Sequence, residues 1–365
     1  MSSRKPQIRS VLVITKHNFM GDTIVATPLL RGIRQLYPNA TIMLLTGKQA
    51  AQTLREFPFV DSENVIEYDP KKTQKGIAAT WRVICDLRGK IGGSPDLCLV
   101  ADRSVRAAVI ALLSRARIRA GFDTEGRGCL LTHRVPYDPE KRESECCLDI
   151  LRAAVPEECA GIHFDPMPLL CVTEAERKRG AAILREHEAI GPLLVGIQAG
   201  ASYHAKQWSP AKFAEVATAL AHNGAGIVLI GYGDSERKAS RLLREAAGDR
   251  VPIIDLTGET EMRETMGVLT HLSLFIGNDT GPSHIAASLG VPTVSLFGPT
   301  LSKKWGEASP RNLVLSAPDG KLSKLEVAPV LAAARSLLFP ACALPDASEN
   351  DLESSAADLA LGAKR

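Results

Sequence analysis

Residues 274–297 read LFIGNDTGPSHIAASLGVPTVSLF, two short apolar segments separated by a polar loop and a helical segment. The apolar segments predict strands at 274–277 and 293–297, and the segment between them predicts a helix over 282–289 with Pro282 in its first turn. Continuous apolar strands joined through a helix are typical of a parallel sheet that is covered on both faces. This unit therefore predicts an α/β fold.

The same alternation runs outward from this unit in both directions. It predicts further strands at 10–15, 40–46, 65–68, 96–101, 193–198, 226–230 and 253–256, with helices at 23–36, 73–88, 103–114, 142–154, 174–189, 210–222, 235–247, 261–271 and 322–338. Thr173 and Glu176 have capping-box spacing at the start of the helix 174–189. The prolines at 166 and 168 interrupt the pattern before it restarts. We predict two doubly wound, Rossmann-like domains facing a cleft, at 1–167 and 168–339, followed by a disordered tail over 340–365.

Composition limits the function classes. The 365 residues are 45% hydrophobic and 23% charged, which are globular values. No signal peptide or membrane-spanning segment is evident, so we expect a cytoplasmic protein. Eight cysteines without a C-x-x-C pair favour buried, reduced thiols over a zinc site. An aromatic content of 5% argues against a nucleic-acid stacking platform, so no nucleic-acid partner is expected.

The net charge of +3 is unevenly distributed, with a basic excess in the first 160 residues and an acidic excess in the rest. A basic half suggests an anionic partner, and an ordinary mixed surface is the alternative. Segment 98–134 is rich in arginine. It holds seven of them, at 103, 106, 115, 117, 119, 127 and 134.

The loop after the first strand, Lys16 to Asp22, contains Gly21 for a tight turn. Asp22 has two interpretations. A carboxylate at a helix start is commonly a cap, and one that faces an interdomain cleft can act as a general base. The loop alone favours capping.

Three later loops also follow predicted strands. The small residues of the loop 198–208 let backbone amides approach a phosphate group, and Lys206 adds a positive charge. A surface loop with an incidental lysine is the alternative interpretation. In the loop 231–236, a carboxylate can accept hydrogen bonds from ribose hydroxyls. An acidic helix start is the alternative interpretation. Thr280, the free amides and the dipole of the helix that follows make an anion site. We interpret His284 as a packed helix residue.

Four ordered motifs resemble glycosyltransferase family 9, the ADP-heptose:lipopolysaccharide heptosyltransferases and their relatives. The motifs are MGDTIVATPLLRGIRQLYPNA (20–40), LLTHRVPYDP (130–139), GASYHAKQWSPAKFAEVA (200–217) and GNDTGPSHIAASLGVPTVSLFGPT (277–300). The resemblance spans residues 10–338 and implies a GT-B fold, with an N-terminal acceptor domain and a C-terminal nucleotide-sugar domain.

The resemblance also implies roles for individual residues. Asp22 matches the catalytic base, and Asp279 matches a contact to the transferred sugar. Ser202 and Lys206 match residues near the donor diphosphate, while Thr280 and Gly281 match the phosphate-binding turn. Glu236 matches the ribose carboxylate, with Asp234 as a competitor. The chain departs from the family at Arg142-Glu143, where a His-Glu pair is common, and this departure bears on the acceptor.

These roles imply an inverting single displacement that moves heptose from ADP-heptose to a lipopolysaccharide core or related glycan. Lys206 would stabilise the leaving diphosphate. No cofactor or metal is expected. Lys16, Arg103 and Arg106 are candidates to bind an anionic glycolipid, with a solvated arginine-rich helix and loop as the alternative. Peripheral contact with the cytoplasmic face of the inner membrane is compatible with such an acceptor. A sugar-nucleotide epimerase or a catalytically silent sugar-nucleotide-binding protein are the other function classes.

Overall fold

Two parallel sheets form the framework of the protein. The computed structural model describes residues 7–71, 74–188, 192–249, 251–307 and 309–339. Within these ranges each half of the chain forms a six-stranded parallel sheet. The N-terminal sheet contains β1 (Ser10–Ile14), β2 (Thr41–Thr46), β3 (Val65–Glu67), β4 (Leu97–Val100), β5 (Ile118–Phe122) and β6 (His133–Val135). The C-terminal sheet contains β7 (Leu194–Gln198), β8 (Gly226–Leu229), β9 (Ile253–Asp255), β10 (Leu274–Asn278), β11 (Thr293–Phe297) and β12 (Asn312–Ser316).

The two sheets have the same strand order. The N-terminal order is β3-β2-β1-β4-β5-β6, and the C-terminal order, read from β9, is β9-β8-β7-β10-β11-β12. In each sheet the chain reverses direction of winding beside its first strand, between β1 and β4 and between β7 and β10. Loops separate at such switch points and leave a crevice for a ligand. The predicted pair of doubly wound, Rossmann-like domains is thereby confirmed.

Helices cover both sheets. The N-terminal half contains α1 (Met20–Val25), α2 (Thr27–Leu36), α3 (Lys48–Thr53), α4 (Gly76–Ile91), α5 (Val105–Leu113), α6 (Glu143–Ala154) and α7 (Pro156–Cys159). The C-terminal half contains α8 (Glu174–Glu186), α9 (Pro210–Ala221), α10 (Asp234–Ala247), α11 (Met262–Leu269), α12 (Gly281–Ser288), α13 (Ser302–Trp305) and α14 (Val327–Leu338). In the described ranges, no helix is both long enough and apolar enough to cross a membrane.

One predicted helix is divided in the structure. The single helix expected over 23–36 is two helices, α1 and α2, which meet at Ala26. Pro28 has no N–H to donate to the carbonyl of Ile24, so the helical ladder stops there. The hydroxyl of Thr27 donates to that carbonyl instead, at 2.7 Å.

Other elements match the expectations or add to them. The capping box of Thr173 and Glu176 is present at the start of α8. The helix expected from 322 begins only at Val327, because Pro329 is accommodated in a first turn, where its missing N–H is not needed. Strands β5, β6 and β12 were not among those predicted. The predicted tail over 340–365, with Cys342, lies outside the described residues. The domain division after residue 167 stays a prediction.

The two halves share buried apolar surface. A single cluster continues from the N-terminal sheet and α2, through Leu30 and Ile33, to Ile183 on α8, Met266 on α11 and Ile285 on α12. Removing this surface from water favours the two halves packing against each other. The interdomain site is therefore built on a packed contact.

Helices α8 and α11 cross at a pair of glycines, and this crossing yields a stability prediction. A Cβ at Gly267 would lie 2.3 Å from the carbonyl oxygen of Glu176, and a Cβ at Gly180 would lie 2.2 Å from the Gly267 carbonyl carbon. Overpacking of this kind costs about 1–3 kcal/mol. We expect Gly267→Ala to lower the free energy of unfolding by that amount in urea titrations.

Gly89→Ala is the matched control for this prediction. Gly89 lies in α4, and a Cβ there would meet nothing within 4 Å. Replacing a helical glycine by alanine where there is room raises stability by about 0.5–1 kcal/mol. If Gly267→Ala were as harmless as Gly89→Ala, the close helix crossing would be wrong.

Candidate functional site

The candidate residues lie on loops at the switch points of the two sheets. The loop after β1 carries Lys16 and leads into α1 with Asp22, and the loop after β7 carries Ser202 and Lys206. The loop after β10 carries Asp279 and Thr280 and leads into α12. The carboxyl ends of strands at a switch point are the usual ligand site of such sheets.

Asp22 forms an ion pair and does not cap its helix. The N-cap of α1 is Phe19, and Asp22 lies two residues into the helix. Its carboxylate accepts a hydrogen bond from the Lys16 ammonium, so this acceptor-binding candidate is engaged with the candidate base. The Lys16 ammonium also lies 5.6 Å from the ring centroid of Trp305 on α13. The capping interpretation that the loop favoured is therefore wrong, and the carboxylate lies where both domains meet.

The N-termini of α1 and α12 touch across the domain interface. A Cβ at Gly281 would lie 2.3 Å from Cε of Met20, and a Cβ at Gly21 would lie 3.0 Å from Cδ2 of His284. The absence of a side chain at both glycines leaves room for this approach. The contact places the turn that bears Asp22 against the Thr280–Gly281 turn.

Asp279 is the centre of a buried ion cluster. Its carboxylate accepts hydrogen bonds from Lys206 Nζ at 2.6 Å and from the Thr300 hydroxyl, and His284 Nε2 lies 3.4 Å away. Burial raises the pKa of Asp279, but the bonds from His284, Lys206 and Thr300 outweigh it and hold this pKa well below its usual range. Asp279 is therefore a permanent anion with two cationic partners.

A buried amide joins the two C-terminal loops. Asn278 Oδ1 accepts the backbone N–H of Trp208 at 2.9 Å, and its Nδ2 donates to the carbonyls of Ala199 and Gly200. The Trp208 indole donates to the carbonyl of Leu325 at 2.9 Å. These bonds hold the 199–208 loop so that Lys206 reaches Asp279. Sequence analysis missed this role of Asn278, whose only signal was its place beside Asp279.

The predicted phosphate turn is oriented by a neighbouring strand. Thr280 is the N-cap of α12, but its hydroxyl donates to Oε1 of Gln198 at 2.9 Å and does not cap. The first backbone amides of α12 have no partner within the helix, as at other helix starts. Ser202 is exposed on the preceding loop.

Glu236 and Asp234 differ in their surroundings. The Glu236 side chain is half-buried against Gly200, Gly231 and Gly233. A Cβ atom at Gly231 would lie 2.8 Å from the Cβ atom of Glu236. Burial raises the pKa of Glu236. Asp234 is exposed. The glycines leave room for Glu236 next to the loop that bears Lys206.

A polar cleft of about 470 Å³ opens on the N-terminal domain beside Lys16. It is lined by Lys16, Asp102, Arg103, Ser104, Thr124, Glu125 and Arg127. Arg127 is only 4% exposed, and its Nε and Nη1 have no hydrogen-bond partner in the described part of the chain. Burial lowers the pKa of Arg127. Arg103 stacks 4.2 Å from the ring centroid of Tyr137, and Arg106 is exposed on α5. Arginine-rich composition was visible in the sequence, but the burial of Arg127 was not.

Lys304 inserts from the C-terminal domain into the N-terminal domain. Its ammonium lies 3.1 Å from Oε2 of Glu143, at the start of α6, and donates to the carbonyls of Asp138 and Lys141. The Tyr137 hydroxyl donates to the same carboxylate at 2.7 Å. Glu143 and Lys304 are both buried. Glu143 of the unusual Arg142-Glu143 pair thus holds the two domains together.

This buried pair yields a prediction about domain attachment. Removing one partner of a buried ion pair leaves an uncompensated charge and costs about 3–5 kcal/mol. We expect Lys304→Ala to lower the free energy of unfolding by that amount in urea titrations. Lys303→Ala is the control. Lys303 is exposed, so its loss should change the free energy of unfolding by less than about 0.5 kcal/mol. Equal effects of the two variants would contradict an interdomain role for Lys304.

Comparisons with known proteins agree with this architecture. The model of the family described as glycosyltransferase family 9 (heptosyltransferase) matches residues 84–331. Lipopolysaccharide heptosyltransferase 3 of Escherichia coli is 28% identical over 287 residues, which are 77% of this chain and 82% of that protein.

Two solved structures share the fold. The glycosyl transferase family 9 structure from Veillonella parvula DSM 2008 superposes with a TM-score of 0.82 at 21% identity, and covers 93% of this chain and 100% of its own. The E. coli ADP-heptose lps heptosyltransferase II structure superposes with a TM-score of 0.75 at 22% identity, with coverage of 91% and 99%. Both structures therefore share the two-sheet fold described above.

Proposed function

The chain belongs to glycosyltransferase family 9 (heptosyltransferase), and on that basis we propose that it transfers heptose from ADP-heptose to a lipopolysaccharide core or related glycan with inversion. One observation carries the proposal. The Asp22 carboxylate lies on one face of the interdomain contact, and the Lys206–Asp279 pair and the Thr280–Gly281 turn lie on the other. A group that can take a proton thus faces groups that can hold a diphosphate.

The related proteins support the donor and the acceptor class. The E. coli relative at 28% identity is named lipopolysaccharide heptosyltransferase 3, and the similar E. coli structure is that of an ADP-heptose lps heptosyltransferase II. Such names describe those proteins. For this chain they support a heptose donor and a lipopolysaccharide acceptor.

The reaction is a single displacement. The acceptor hydroxyl oxygen forms a bond to the anomeric carbon while the bond from that carbon to the diphosphate oxygen breaks. The hydroxyl proton passes to Asp22, and the nucleoside diphosphate leaves with the bonding electron pair. Lys206 and the first amides of α12 stabilise the charge that develops on the leaving group.

Other residues bind the rest of the donor. Glu236 accepts hydrogen bonds from the ribose hydroxyls. Its half-buried position beside the glycines favours it over the exposed Asp234 for this role. Ser202, at the tip of the loop that bears Lys206, contacts the diphosphate. Asp279 contacts the transferred sugar. These three assignments, together with Lys206, support a donor site on the domain formed by residues 168–339.

The acceptor binds to the domain formed by residues 1–167. The cleft that begins at Lys16 is lined by Arg103 and Arg127, so its positive charge suits a phosphate or carboxylate of a glycolipid core. Arg106 is exposed on the neighbouring α5. A basic surface here favours peripheral contact with anionic lipids at the inner face of the membrane.

The function is tested by product analysis with ADP-heptose and a truncated lipopolysaccharide core. We expect wild type to transfer heptose, and Asp22→Asn to lower kcat by about 10²–10⁴ while the protein stays folded, because the amide cannot take the proton. Asp86→Asn, an exposed aspartate on α4, is the control and should keep its activity.

Each product pattern has a distinct meaning. Isomerised sugar nucleotide without transfer would indicate an epimerase, and donor binding without any product would indicate a silent binding protein. Near-normal transfer by Asp22→Asn would show that Asp22 is not the base.

Arg127 is tested by its effect on the acceptor. A hydrogen bond to a charged group contributes about 1.5–3 kcal/mol, so we expect Arg127→Gln to raise KM for a phosphorylated acceptor by roughly 10- to 100-fold and to leave KM for the donor unchanged. Two of the Arg127 side-chain nitrogens have no hydrogen-bond partner in the described residues, so replacing them removes no hydrogen bond from the folded protein. Arg117→Gln, at an exposed position, is the control. An unchanged acceptor KM, or an equal rise in the donor KM, would contradict the assignment.

A further inference from the structure

A second carboxylate lies behind the donor site, and the proposed reaction does not use it. Glu307 follows α13, and its Oε1 lies 2.8 Å from Nδ1 of His284 on α12. The other ring nitrogen of His284 faces Asp279, which holds Lys206. The side chains of Glu307, His284 and Asp279 are 7%, 9% and 4% exposed. The four groups form a row in the order Glu307, His284, Asp279, Lys206, of which the first three are buried and Lys206 is partly exposed.

The position of the ring between two carboxylates favours a charged imidazole. A neutral histidine has one N–H and one lone pair, so it would point the lone pair at one of the two carboxylates. An imidazolium has an N–H group for each of them. Burial lowers the pKa of His284, but Glu307 and Asp279 outweigh burial and raise it to about 10. The row therefore holds two anions and two cations.

The other charged groups around α12 are engaged with partners of their own. Lys16 and Asp22, at the start of α1, pair with each other. Arg263 and Glu264 of α11 pair with Glu176 and Arg179 respectively. Strands β10 and β11, which also contact α12, contain no charged side chain. The charge of His284 is thus set by Glu307 and Asp279.

Donor binding would disturb this balance. Lys206 is bonded to Asp279 in the structure, and the proposed function requires it to bind the donor diphosphate. Asp279 is buried, and a buried anion without a cation is strongly unfavourable. An imidazolium that stays in place supplies that cation.

We propose that Glu307 and His284 are positioning residues of the donor site: Glu307 holds His284 as an imidazolium, and His284 keeps Asp279 oriented and neutralised when Lys206 moves to the diphosphate of a nucleotide sugar. The proposal rests on the proposed function, because it requires a diphosphate donor. Neither residue touches the reacting atoms.

Glu307→Gln tests the proposal, since it removes the charge and keeps the shape. With one carboxylate left, His284 should lose its proton as the pH rises through the neutral range. Asp279 then depends on Lys206 alone and retains it. We expect the Kd of ADP, measured by calorimetry, to rise about tenfold between pH 6 and pH 8.5 in Glu307→Gln and to change less than threefold in wild type.

The controls separate this role from a merely structural one. Glu307→Asp should restore most of the wild-type pH profile. Glu326→Gln, which removes an exposed carboxylate 3.3 Å from Lys212, should not alter the profile. In wild type, the Cε1–H signal of His284 in NMR spectra should show a protonated ring up to pH 8.5, a measurement that does not require any variant to fold.

The outcomes are distinguishable. If wild type binds ADP and Glu307→Gln shows the same flat profile, or if wild-type His284 titrates below pH 8, the positioning role is wrong and the donor site stands. If wild type binds neither ADP nor UDP, the donor site fails, and this proposal fails with it.

Discussion

The contact between the N-termini of α1 and α12 is the constraint on which the site depends. Glycine at 21 and 281 leaves room for this contact, because a Cβ at Gly21 would lie 3.0 Å from the His284 ring and one at Gly281 would lie 2.3 Å from the Met20 methyl group. A side chain at either position would have to displace one of these groups, which lie between Asp22 and the Thr280–Gly281 turn. The apolar cluster that runs from α2 to α8, α11 and α12 maintains the same approach from beneath. Geometry at the chemical groups therefore follows from packing between domains.

Charge pairing is the second organising feature. Lys16 holds Asp22, Lys206 and His284 hold Asp279, and Lys304 holds Glu143 across the domain interface. Removing one partner of a buried ion pair leaves an uncompensated charge, which is strongly destabilising. Arg127 differs from these groups, since two of its nitrogens have no partner in the described ranges. The contrast is why we assign it to an external anion and treat the others as a framework.

Sequence patterns predicted most of the fold and much of the site. Apolar strands alternating with helical segments indicated two parallel sheets, and the loops after the strands pointed to Asp22, Lys206, Asp279 and Thr280. The pattern was less informative where local signals conflict. At Asp22, the loop favoured a helix cap, yet Lys16 takes the carboxylate and Phe19 is the cap. His284 was expected to be a packed residue. It is buried as predicted, but between two carboxylates, one of them 23 residues further along the chain.

Local sequence determines strands, helix starts and glycine turns because those depend on neighbours a few residues away. Thr173 and Glu176 form their capping box for that reason. Burial and charge pairing depend on which distant segments meet, and a strand pattern does not contain that information. Lys304 lies 161 residues from Glu143, and Arg127 resembles six other arginines in its segment until the fold covers it. The folded chain alone places Lys304 beside Glu143 and buries two Arg127 nitrogens that have no hydrogen-bond partner in the described residues, because packing decides which groups lie beside a buried charge.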